Sequence, residues 1–156
     1  MLLISSIGIG LGSCNRQNEI DEQFIVEKEQ YEVIAKILLR NRDEILRSKL
    51  DECKLDSTTK RVDFSYESFM KCFKLSNKDT EKEILKFLKS SYVSHVFLYR
   101  DYVKFNLSTE GNFAETIFYT ITFSPVIEAS EVEGLNYPYT RIDKNWYLEK
   151  RKEATF

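Results

Sequence analysis

Between Ile20 and Cys53 apolar side chains recur at helical spacing, at Phe24, Tyr31, Ile34, Leu38, Ile45, Leu46, Leu50 and Cys53, with Lys, Arg and Glu between them. Such a stripe predicts one long amphipathic helix, and neither Pro nor Gly interrupts it. A strict heptad is not kept up, which favours a helix laid on a sheet over a coiled-coil strand. After the polar connector LDSTTKRVD, Phe64 to Phe73 predicts a short helix capped by Ser65. Thr80 followed three residues later by Glu83, ahead of Ile84, Leu85, Phe87 and Leu88, has the order of a capping box and predicts a third helix.

From Tyr92 the period drops to two, and β-branched and aromatic residues take over. Val93 to Tyr99 and Tyr102 to Leu107 predict a hairpin turning at Arg100-Asp101, with His95 in line with Val93, Phe97 and Tyr99. Glu110-Gly111-Asn112 predicts a further turn. Along Ala114 to Ser124, Ile117, Tyr119, Ile121 and Phe123 alternate with Thr116, Thr120, Thr122 and Ser124, so one face should be buried and the other wet or weakly polar. Pro125 stops that strand, and VIEASEVEGLN forms a longer acidic connection. Tyr139 to Ile142 and Trp146 to Glu149 predict a closing hairpin around Asp143-Lys144-Asn145, with RKEATF fraying behind it. The expected fold class is therefore α+β: a long amphipathic helix and two shorter ones packed on an antiparallel sheet of four to six strands.

The first thirteen residues, MLLISSIGIGLGS, carry no charge, and the polar chain starts at Cys14. This apolar run is too short to span a bilayer, which needs about 20 residues, but it suits the core of a secretory signal. Its end, Leu11-Gly12-Ser13-Cys14, resembles the bacterial lipoprotein box. That resemblance implies cleavage before Cys14 and a diacylglycerol on its thiol, although no Lys or Arg follows Met1 as a signal normally has. Residues 1–13 then read as signal peptide, 14–22 as a polar tether, and 23–156 as a single α+β domain. Localisation follows: the cell envelope, lipid-anchored to the membrane on its periplasmic or outer face.

Composition narrows the work such a domain can do. In 156 residues, 42% hydrophobic, 13% aromatic and 31% charged, there is enough to bury one core. The 23 basic and 25 acidic residues are interspersed and give a net charge of −2, without the basic patch of a nucleic-acid binder. Of three cysteines, Cys53 and Cys72 are left once Cys14 is assigned to lipid; they can pair in an oxidising compartment or, the favoured reading, lie unpaired in the core. One histidine with two separated cysteines makes no recognisable metal or catalytic set, and there is no phosphate-cradling glycine loop. No cofactor, metal or catalytic residue is expected. The acids of the first helix alternate with Lys and Arg as on a solvated face.

Tyr137, Tyr139, Trp146 and Tyr147 cluster near the end, and rings of this kind serve partner or sugar surfaces as well as sheet packing. The same stretch, Gly134, Tyr137-Pro138-Tyr139, Arg141-Ile142-Asp143 and Asn145-Trp146-Tyr147-Leu148, is similar to the last hairpin of small secreted or lipid-anchored proteins of Bacteroidetes bacteria. The resemblance covers the final third of the chain and carries over no catalytic residue. It makes an immunity role against toxins thinkable, and Asp56-Ser57-Thr58 resembles the O-glycosylation signal of that group. The expected function is that of a non-enzymatic, protein-binding lipoprotein of the envelope; the alternative is a carrier of a small ligand or glycan between helix and sheet.

Overall fold

The computed structural model describes residues 27–48, 61–107, 110–111, 115–125 and 139–154. Cys14, the expected signal and tether, Cys53, Asp56 to Thr58 and the acidic connection before Tyr139 lie outside the described residues. Contacts divide the chain into two compact units, residues 1–32 and 33–156. In the first, residues 27–32 are helical and Tyr31 is buried; burial, reinforced by the charge of Glu27, pushes its phenol well above the ordinary range.

Helix α1 covers residues 27–40 and α2 Arg42–Arg47. Between them Asn41 sits at φ −98°, ψ 10°, where its Nδ2 donates to the Ile37 carbonyl at 2.8 Å. The main-chain ladder persists on both sides, Asn41 to Ile37 at 3.0 Å and Ile45 to Asn41 at 2.9 Å. A short amide that competes with the backbone therefore distorts the expected continuous helix without Pro or Gly. Ile34, Ala35, Leu38 and Ile45 form the buried stripe, whereas Leu46 is exposed.

Strand β1 (Val62–Phe64) leads into α3 (Tyr66–Cys72), which starts where the sequence predicts, with Ser65 and Ser68 bonding reciprocally at its cap. Helix α4 (Lys78–Ser90) starts about a turn earlier than the Thr80 box suggests, because Asn77 Oδ1 accepts the N–H groups of Asp79 and Thr80 at 3.0 and 3.1 Å. Two carboxylates pin the loop before it. Glu44 of α2 accepts the N–H of Ser76, and Glu81 of α4 accepts the N–H of Leu75 at 2.7 Å and Lys78 Nζ at 3.0 Å.

Hydrogen bonds from Ser76 hold the Glu44 carboxyl below its ordinary value. Burial raises the Glu81 carboxyl, but the Leu75 N–H and the ammoniums of Lys78 and Lys74 outweigh it, and the net shift is downward. Both acids thus titrate lower in the folded chain than in the unfolded one. Their contribution is complete above the unfolded value and is lost as pH falls through the folded values. Glu81→Gln is expected to flatten the dependence of stability on pH as pH falls through and below the ordinary glutamate range. Urea melts across that window measure it, and an unchanged slope would refute the clamp.

Strands β2 (Val93–Leu98), β3 (Val103–Leu107), β5 (Glu115–Phe123), β6 (Tyr139–Asp143) and β7 (Trp146–Ala154) join β1 in one antiparallel sheet of order β1-β2-β3-β5-β7-β6. The two-residue β4 (Glu110–Gly111) pairs with β5 on the same side as β3, making a seventh strand in that track. Strand β7 runs on to Ala154 where fraying was expected, because the start of β5 continues the ladder as far as the Glu115↔Ala154 pair. A bulge at Ser94 shifts the β2 register, so Val93 and Val96 are buried while His95 turns out to solvent instead of following Val93.

Cross-strand pairing sorts the side chains into two faces. On one, Val62, Phe64, Val96, Leu98, Val103, Phe105, Ile121, Phe123, Trp146 and Leu148 are buried. The helices pack there: Phe69 and Phe73 of the α3 region lie 5.0 and 5.7 Å from Phe64, and Phe87 of α4 lies 5.9 Å from Phe105. The opposite face was expected to be wet, yet Lys104, Thr122, Tyr147 and Glu149 on it are all buried.

Candidate functional site

Of the four aromatic residues singled out in the sequence, Tyr137 lies outside the described residues. Tyr139 is 42% exposed on β6, the terminal strand of the sheet, and stands edge-on to Tyr147 of β7, with centroids 5.7 Å apart and planes at 81°. Register places Tyr139 opposite Glu149 and Arg141 opposite Tyr147, so all four residues share the second face. Trp146 belongs to the other face. At 1% exposure it packs against Phe123 at 4.8 Å and Phe105 at 6.5 Å, and its role is core, not surface.

Pattern reasoning missed the centre of that second face. Lys104 of β3 and Glu149 of β7 flank β5, with Thr122 opposite Lys104 and Thr120 opposite Glu149. Lys104 Nζ meets Glu149 Oε1 at 3.2 Å, and the two side chains are only 9% and 11% exposed. Beside the pair, the fully buried Thr122 Oγ1 has no hydrogen-bond partner, while Thr120 Oγ1 donates to Asn106 Oδ1 at 2.8 Å. Sequence alternation marks Lys104 as outward-facing but cannot show that a glutamate 45 positions later completes it.

Toward the β1 edge, the Arg61 guanidinium lies 4.8 Å over the Phe97 ring and donates to the Tyr99 hydroxyl at 3.3 Å. Tyr99 stacks on Tyr102 at 4.2 Å across the hairpin turn. Asp63 sits opposite Phe97; burial raises its carboxyl, partly offset by the charges of His95 and Arg61, and its Oδ1 has no hydrogen-bond partner. Thus the face runs from a cationic and aromatic edge, over a buried ion pair, to the exposed Tyr139. Among the described residues no three His, Cys, Asp or Glu side chains are grouped to hold a metal ion, and no helix is long and apolar enough to cross a membrane. Comparison with protein-family models, curated proteins and solved structures finds no match in any of the three.

Proposed function

We propose that this chain is a lipid-anchored protein of the bacterial envelope whose α+β domain works without catalysis, by binding another protein, as immunity or envelope partner proteins do. The observation that carries the binding surface is Tyr139, a large ring left 42% exposed on a terminal strand and braced by the buried Tyr147. A braced aromatic with Arg141 beside it on a sheet edge is the kind of anchor that partner interfaces use. The address rests on the Leu11-Gly12-Ser13-Cys14 box, and a disulfide at Cys72 agrees with a protein that matures outside the reducing cytosol.

A second reading, a carrier for a small polar ligand or glycan, is favoured by the unsatisfied Thr122 hydroxyl beside the Lys104–Glu149 pair. Mass spectrometry and crosslinking on protein recovered from its native host test both readings. The expected result is a chain that starts at Cys14 with a diacylglycerol or triacyl increment, both lost in Cys14→Ala. A crosslinked envelope protein should also appear with the wild type and be lost in Tyr139→Ala. An unlipidated chain retaining Met1 overturns the address. A native mass raised by a bound small molecule, with no crosslinked protein, replaces the partner reading by the carrier.

A further inference from the structure

Strand β6 ends the sheet, and among the described residues no strand pairs with its outer edge. Tyr139, Thr140 and Arg141 are all exposed along it. We propose that this edge pairs antiparallel with β6 of a second copy of the chain, about a two-fold axis at Thr140 that sets Tyr139 of each copy opposite Arg141 of the other.

The direction of the main-chain groups sets the register. In an antiparallel ladder, opposed residues alternate between pairs that exchange both hydrogen bonds and pairs that exchange none. The Ser124 N–H donates to the Asn145 carbonyl at 2.9 Å, one step beyond the Phe123↔Trp146 pair, so Tyr147 and Glu149 aim their main-chain groups at β5. Leu148, between them, bonds the other way, to Thr140 of β6. Tyr139 and Arg141, opposite Glu149 and Tyr147, therefore turn their N–H and C=O groups to the open edge. A two-fold axis at Thr140 lays the donors of each edge on the acceptors of the other, so the charge pattern of this edge is complementary to itself. An axis at Arg141 would bond that residue alone and oppose two cations. An axis at Tyr139 would carry Arg141 past the start of the second strand.

The side chains fit the same axis. Arg141 Nε and Nη2 donate to the carbonyls of Asp143 and Lys144 at 3.3 and 3.0 Å, so each guanidinium stays over its own turn and the two cations point away from each other. The apolar stem of Arg141 then lies beside the Tyr139 ring of the second copy, and on the other face Thr140 meets Thr140, both favourable cross-strand pairs. Past Arg141 the bulge before Asp143 ends the regular edge, so the contact is short and the association weak. Self-pairing covers the Tyr139 surface, and a foreign protein at this edge would have to displace the second copy. The dimer itself depends on neither the lipid nor a foreign partner.

Sedimentation velocity of the purified full chain across a range of concentrations tests the association, and a monomer–dimer equilibrium is expected. The axis brings the two Thr140 Cα atoms to about 4.5 Å, within the span of a disulfide. Thr140→Cys, treated with oxidised glutathione, should therefore form an interchain disulfide between the two substituted positions, located by peptide mass mapping against the wild type. Lys144→Cys, in the exposed turn away from the axis, should not. Arg141→Pro removes an edge N–H without taking a bond from β7, and is expected to weaken association about tenfold or more. Arg141→Ala keeps that N–H and should retain most of the association. Circular dichroism checks that the proline variant is folded, and Thr140→Cys, a change of one exposed side chain, decides the matter if it is not. A chain monomeric at every concentration overturns the dimer, as does one indifferent to Arg141→Pro or crosslinked equally through Lys144→Cys. A foreign envelope protein crosslinked to a chain that is monomeric by itself would remove the dimer and leave the partner reading standing.

Discussion

Lys104→Met is expected to lower the unfolding free energy by about 3–5 kcal/mol, because it strands the Glu149 carboxylate on a buried sheet face. The Coulomb gain of the pair does not carry this effect. Desolvating two charges roughly offsets their attraction, so the wild-type pair adds little by itself. What costs is one charge left without the other, beside a Thr122 hydroxyl that already lacks a partner. Lys104→Met combined with Glu149→Leu should therefore recover most of the loss or exceed wild-type stability. Urea unfolding of the two single variants and the double closes the cycle. Strictly additive losses would show that the two residues do not act as a pair.

Trp146→Ala is expected to cost about 3–5 kcal/mol, since the ring is 1% exposed between Phe123 and Phe105 and its removal leaves a cavity in the core face. That is a large share of the 5–15 kcal/mol that holds a typical domain together. Circular dichroism must follow this melt, because Trp146 is the sole tryptophan. Tyr139→Ala, one strand away, is expected to stay within about 1 kcal/mol of wild type, as an exposed ring making one edge-on contact. Equal losses in the two variants would contradict the division of the aromatic cluster into core and surface. Through that division the binding test with Tyr139→Ala reads recognition and not unfolding.

Much of the fold was legible because it is local. Ser65 caps α3 as read, since a hydroxyl that accepts from the residue three positions on needs no distant partner. The switch from helical period to alternation after Ser91 placed the strands for the same reason. Departures have local causes that pattern alone ranks poorly: Asn77 outcompetes Thr80 as a cap, and Asn41 interrupts a helix whose apolar stripe runs straight through it. His95 was misplaced because the bulge at Ser94 moves every following side chain to the other face, a change the alternation of apolar residues hides.

By itself the sequence determined the class of the fold, the Ser65 cap, the turn of the closing hairpin, and the separation of the uncharged opening from the charged domain, all consequences of short-range stereochemistry and of period. Only the tertiary structure decided which distant positions meet. Register across β3, β5 and β7 sets Lys104 against Glu149 and isolates Thr122. The packing of α3 and α4 on one face turns Trp146 inward, while the same alternation leaves Tyr139 and Tyr147 on the other. Such contacts depend on strand order and helix placement, which are selected by the burial of the whole core and not by any one segment.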